Sequence, residues 1–175
     1  MIDQAIKEFD QYLGLQKLSY EGIIIGGAAL VILEITTRLT RDVDCLSPKI
    51  PEEIKKASIE FADENKYLNL DHNWFNNGPI SLLNELPDSW REHLQPAFDG
   101  KNLKLQTLGR PDLLKTKLYA YCDRNLPDLK DLLILKPTVQ ELADSMSWVK
   151  LRDANPGWPD FVEKQFLILK ELLHG

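Results

Sequence analysis

Apolar residues fall at Ile2, Ile6, Phe9 and Leu13 with charged residues between them, the spacing of an amphipathic helix that ends near Gly14. The pattern then changes to a continuous β-branched run, Gly22-Ile23-Ile24-Ile25-Gly26, as expected of a strand covered on both faces. A helix from Gly27 or Ala28 to about Thr37 is predicted to follow directly. In Arg41-Asp42-Val43-Asp44-Cys45-Leu46 polar and apolar positions alternate ahead of Ser47-Pro48, which predicts a second strand with both aspartates on one face. Pro51, with Glu52 and Glu53 behind it, suits the first turn of a helix running through about Asp63.

Farther along, Asp71 to Gly78 sets Asn73, Asn76, Asn77 and Gly78 around Trp74 and Phe75, which predicts a loop anchored to the core by its aromatics. Gln95 to Phe98 and Asn102 to Leu108 flank Asp99-Gly100, a dipeptide suited to the positive backbone angles of a tight hairpin turn, so two more strands are expected there. After Pro111 the period becomes helical, through Leu113, Leu114, Leu118, Tyr121 and Leu126 up to Pro127. Further helices are predicted over Leu129 to Leu135, Pro137 to about Leu151 and Pro159 to Leu173, with Asn155-Pro156-Gly157 as the last turn. Trp148, Trp158 and Phe166 in this part read as core residues, the alternative being a docking face for a partner protein.

Charge and cysteine content narrow the partners. With 21 Lys+Arg against 27 Asp+Glu the formal charge is −6, which speaks against a surface that holds extended nucleic acid by general phosphate attraction. Cys45 and Cys122 stand in dissimilar segments without zinc or disulfide spacing and read as buried structural thiols in a reducing compartment. The opening MIDQAIKEFDQYL lacks a basic flank and apolar stretch, so cytoplasmic localisation is expected. The apolar run Ile23 to Ile35 is broken by Gly26, Gly27 and Glu34 and is too short to span a bilayer, so no membrane association is expected. His72, His93 and His174 are scattered, and no Gly-Lys-Ser or Gly-Lys-Thr follows the glycine pair.

The candidate chemistry lies where the first strand turns into its helix and where the second strand begins. Glycines at such a turn let backbone amides approach a phosphate closely, although Gly-Gly also occurs in turns for conformational reasons alone. Two aspartates one residue apart on a strand aim their carboxylates the same way, which suits a hard divalent cation with oxygen ligands. Without a cation the like charges repel, so the competing reading is a solvated edge strand neutralised by Arg38 or Arg41.

Taken together, Ile24-Ile25-Gly26-Gly27-Ala28-Ala29-Leu30 and Arg38-Leu39-Thr40-Arg41-Asp42-Val43-Asp44 resemble the nucleotidyltransferase superfamily. Its pattern is an apolar strand, Gly-Gly or Gly-Ser, a helix, then Asp-x-Asp on the next strand. The Arg-x-Thr-x-Asp-x-Asp form with Ala-Leu after the glycines is most similar to the toxin-type branch of abortive-infection (AbiEii) and type IV toxin–antitoxin systems. Pro111-Asp112-Leu113-Leu114-Lys115-Thr116-Lys117-Leu118-Tyr119-Ala120, followed by Arg124, Asp128 and Asp131, resembles the Lys-Leu-x-Ala helix, arginine and acidic pair of that branch. The competing reading of this segment is an ordinary amphipathic helix followed by a helix capped at Asp128.

The resemblance implies an α+β, polymerase β-type fold: a small mixed sheet flanked by helices over 1–108, and a helical C-terminal part packed on it over 109–175. It implies Asp42 and Asp44 as catalytic acids that bind Mg2+ or Mn2+, with Lys117, Asp128 and Asp131 as further catalytic residues. Gly26, Gly27, Arg38, Thr40 and Arg41 are the implied nucleotide-binding set. The substrate is then a nucleoside triphosphate, the acceptor is RNA, a protein or a small molecule, and a cognate antitoxin protein is the implied partner. One departure from the pattern stands out. Members that transfer nucleotides usually add a third carboxylate from a neighbouring strand, and neither Gln95 to Phe98 nor Lys104-Leu105-Gln106-Thr107 carries an acid inside the strand. Asp71, on the expected loop, is the only nearby alternative. A protein that keeps the fold and binds a nucleotide or a partner protein without turnover is therefore the rival reading.

Overall fold

The computed structural model of the protein describes residues 2–35, 40–124 and 126–175, with only the backbone of Leu126 and Pro127. The chain divides into two units, Met1–Leu108 and Gly109–Gly175.

The first unit is built on five strands: β1 (Tyr20–Ile25), β2 (Val43–Ser47), β3 (Phe75–Asn76), β4 (Gln95–Asp99) and β5 (Leu103–Thr107). They form one mixed sheet in the order β3-β2-β1-β5-β4. β1 pairs antiparallel with β2 and parallel with β5, β3 runs parallel to β2, and β4 closes the other side antiparallel to β5. Among the described residues its α-helices are α1 (Ile2–Leu15), α2 (Gly26–Ile32) and α3 (Glu52–Glu64).

Ile2, Ala5, Ile6, Phe9 and Leu13 make the buried stripe of α1, and Ile54, Ala57, Phe61 and Ala62 that of α3. They share one core cluster with Tyr20 and Ile24 of β1, Val43 and Cys45 of β2, and Leu103 and Leu105 of β5. At its centre, ring centroids of Phe9 lie 5.2 Å from Trp74, 5.3 Å from Phe61 and 5.5 Å from Phe75. Trp74 is fully buried, and its indole N–H donates to the Ser58 carbonyl at 2.9 Å, so its one polar atom is satisfied inside an apolar cluster. The aromatics of the 71–78 segment do anchor it, as their placement in the sequence suggested.

Four expectations need correction. The segment 71–78 is not all loop, because Phe75-Asn76 pairs with Val43-Asp44 as a two-residue strand, a length at which alternation leaves no trace in sequence. α2 stops at Ile32 rather than near Thr37. Glu34 takes a positive φ of 57°, and the Ile35 and Glu34 amides donate back to Leu30 and Val31, a helix stop normally built with glycine. Thr36 and Thr37 lie outside the described residues. β2 begins at Val43, so Asp42 stands just ahead of the strand rather than on it. Finally, neither Asp99 nor Gly100 has positive φ. The β4–β5 turn is held from outside: Asp10 Oδ1 of α1 accepts the Asn102 and Leu103 amides, both at 2.7 Å.

The second unit is four helices, α4 (Arg110–Arg124), α5 (Leu126–Leu135), α6 (Val139–Lys150) and α7 (Trp158–His174). Thr138 and Glu141 close a reciprocal capping box at the start of α6. Glu141 also pairs with Arg110 at 2.6 Å, and the guanidinium holds its carboxyl down at about 2. Trp158 and Phe166 of α7 are buried and Trp148 of α6 is half-buried. Cys45 and Cys122 are free, buried thiols, and burial pushes Cys122 up to about 12, as suits structural rather than reactive cysteines. Among the described residues no helix is long and apolar enough to cross a membrane.

Trp74→Ala removes the hub of the aromatic cluster and is expected to destabilise the protein by about 3–5 kcal/mol. Urea unfolding followed by circular dichroism would show this as a lower midpoint, and an unchanged midpoint would contradict the central place of this ring.

Candidate functional site

The antiparallel pairing of β1 and β2 puts Ile25 opposite Asp44. Val43 and Cys45 turn into the core cluster, so Asp44 between them projects from the other face of the sheet, where it is half-buried. The next residue of the first chain segment is Gly26, at φ +80°, where the strand turns into α2. A Cβ at position 26 would stand 2.6 Å from Asp44 Oδ2, closer than two unbonded atoms of this kind can approach. Glycine at 26 is favoured by its positive backbone angle, and any side chain there would also have to displace the Asp44 carboxylate. Gly26 and Asp44, named together from the sequence, do meet in space.

The other oxygen of Asp44 faces β3. Asn76 Nδ2 donates to Asp44 Oδ1 at 3.3 Å, and Asn76 Oδ1 accepts the Gly78 amide at 2.6 Å. Asn77 is engaged differently: its side chain accepts the Ile50 amide at 2.7 Å and donates to the Cys45 and Pro48 carbonyls at 2.9 and 3.2 Å, fastening the loop that follows β2. Asn76 and Gly78 went unrecognised as neighbours of Asp44 in the sequence; the only local sign was the asparagine-rich run itself. A cavity of about 320 Å3 lies beside them, lined by Lys49, Lys55, Asn73, Asn76, Asn77 and Gly78 among others. A second cavity, of about 450 Å3, runs along the sheet past Ile23, Pro96, Phe98, Lys104 and Gln106, and among the described residues none of the candidate site residues lines it.

Asp42 is exposed and accepts a hydrogen bond from Thr40 Oγ1 at 2.8 Å. Arg41 is exposed, Gly27 is buried at the start of α2, and Arg38 lies outside the described residues. Asp71 is exposed on the segment before β3. Among the described residues no three or more acids, histidines or cysteines gather in a way that could hold a metal ion.

In the second unit, Lys117, Asp128 and Asp131 come together. The buried Lys117 ammonium lies 3.1 Å from Asp128 and 2.7 Å from Asp131, whose side chains are also buried. Arg124, largely exposed, reaches the second oxygen of Asp128 at 3.2 Å. Two carboxylates three residues apart on α5 share a helix face, and both close on one ammonium from α4. Two cations and two anions then balance within a few ångströms, the condition under which buried charge is tolerated.

The five-stranded mixed sheet with flanking helices, the glycine turn and the acid beside it define a nucleotidyltransferase-like α+β protein. Residues 1–153 match the model of a family described as nucleotidyltransferase of unknown function (DUF6036), and the chain belongs to that family. No curated protein and no solved structure matches the chain.

Gly26→Ala is expected to lose at least the ~1–2 kcal/mol that a left-handed angle costs a non-glycine residue. Displacement of the Asp44 carboxylate adds to this, and a denaturation midpoint equal to that of the wild type would contradict the contact. Lys117→Met strands two buried carboxylates and should destabilise by about 3–5 kcal/mol, whereas replacing Lys117, Asp128 and Asp131 together with apolar residues should recover most of the loss. Equal stabilities for the single and triple variants would argue against a shared ionic network.

Proposed function

We propose that the protein transfers a nucleoside monophosphate from a nucleoside triphosphate to an acceptor, with Asp42 and Asp44 as ligands of Mg2+ or Mn2+. The observation that carries the reading is the Asp44 carboxylate packed against the Gly26 backbone at the strand-to-helix turn. Membership in a nucleotidyltransferase family supports the class of reaction. Two carboxylates, joined among the described residues by no third acid and no nitrogen or sulfur ligand, fit a hard cation that keeps water and takes its remaining oxygens from substrate phosphates.

In this reading the acceptor oxygen attacks the α-phosphorus, the bond to the α,β-bridging oxygen breaks, pyrophosphate leaves, and the acceptor's proton passes to a base or to solvent. The bound cation would neutralise charge on the phosphates during this exchange. Gly26 and the buried Gly27 are assigned to the triphosphate at the strand-to-helix turn, and Thr40 orients Asp42 through its hydroxyl. Arg38 and Arg41 are assigned to balance charge on the leaving group. Lys117, Asp128 and Asp131 enter as one set; for Lys117 to reach a phosphate, its ammonium would have to exchange these carboxylates for it. The motif likeness to toxin-type members extends the proposal to a cytoplasmic toxin with a cognate antitoxin, its acceptor being RNA, a protein or a small molecule.

A second reading, a protein that binds nucleotide without turnover, is favoured by one observation: the side chain beside Asp44 on β3 is the neutral Asn76, not an acid. Incubation with each labelled nucleoside triphosphate, Mg2+ and a cell extract separates the two. Label transfer by the wild type, reduced by Asp44→Asn at least the ~10–100-fold that even outer-sphere changes cost a metal site, is the expected result. Nucleotide binding without transfer under every acceptor condition would favour the second reading, and neither binding nor transfer would remove both.

A further inference from the structure

Asn76 is the one polar side chain of β3, a strand of two residues, and its partner across the parallel pairing is Asp44. Its amide cannot turn over without loss, because Oδ1 is taken by the Gly78 amide at 2.6 Å and a flipped amide would set two donors against each other. The orientation left to it presents Nδ2 to Asp44 Oδ1 at 3.3 Å. Asp44 Oδ2 meanwhile lies against the Gly26 backbone. The carboxylate is therefore set between a glycine that gives it room and an amide that gives it a donor.

Resting on the metal-dependent reading above, we infer that Asn76 is a positioning residue for Asp44 and the neutral occupant of a third ligand position. The site is then built to hold its cation with two carboxylates and to complete the set with the phosphates of the nucleotide. An aspartate at 76 could keep the bond from the Gly78 amide while placing a carboxylate oxygen where Nδ2 now stands, beside Asp44 Oδ1. Without a cation two like charges at that separation repel; with one they become a ligand pair. The protein as it stands avoids that repulsion and gives up cation affinity in the absence of nucleotide.

The test compares the wild type with Asn76→Asp, Asn76→Ala and Asn76→Asp/Asp44→Asn by Mn2+ titration, read from the free-ion electron paramagnetic resonance signal, and by thermal melting with Mn2+ or with chelator, all without nucleotide. Asn76→Asp is expected to bind Mn2+ about tenfold or more tightly than the wild type, since added ligand charge tightens such sites. It should melt lower in chelator and gain more from Mn2+. The gain should vanish when Asp44→Asn is added, and Asn76→Ala should show none of it. A merely structural Asn76 would leave Asn76→Asp less stable with no Mn2+-dependent recovery, and that result overturns the inference. So does a gain that survives loss of Asp44, because the new acid would then be acting without it. Failure of the underlying reading is seen separately, as nucleotide transfer by the wild type that is indifferent to Asp44→Asn.

Discussion

The site depends on one register, the pairing of β1 with β2 that sets Ile25 across from Asp44. A shift by one residue would turn Asp44 into the cluster that now takes Val43 and Cys45, and would leave an apolar side chain beside the glycine turn. The register is enforced from the core side, where Val43 and Cys45 are fully buried, and from the edge, where Val43 donates its amide to the Trp74 carbonyl. The aromatic cluster under the sheet therefore does more than stabilise the unit. It holds β3 in place, and through β3 it holds Asn76 on the acid.

Much of this was legible in the chain. The stripe of α1, the β-branched strand and the four later helices follow from hydrophobic period, the hairpin from its Asp99-Gly100 dipeptide, and the motif itself pairs Gly26 with Asp44. What escaped has physical causes. β3 is too short to alternate, so its existence depends on Trp74 and Phe75 finding the core rather than on any local preference. The end of α2 turns on a left-handed glutamate, a conformation that composition does not announce. The hairpin turn has no positive angle at Asp99 or Gly100, and Asp10, distant in sequence, accepts the amides of Asn102 and Leu103.

The helical unit teaches a complementary point about charge. Lys117, Asp128 and Asp131 were grouped by likeness to a motif, and the coordinates join them by direct ion pairs. Spacing alone could set the two aspartates on one face of α5, but it could not place them around a lysine from α4. The same holds for Arg110, which reaches across to Glu141 and the Leu135 carbonyl and so ties α4 to the end of α5 and the start of α6.

The central position of β1 has a consequence for how the chain is made. Its antiparallel neighbour β2 is close in sequence, but its parallel neighbour β5 is the last strand of the sheet to be synthesised. At translation rates of ~5–20 residues per second, one edge of this apolar strand stays unpaired on the order of ten seconds. Throughout that interval the nascent sheet presents an unpaired hydrogen-bonding edge to whatever it meets.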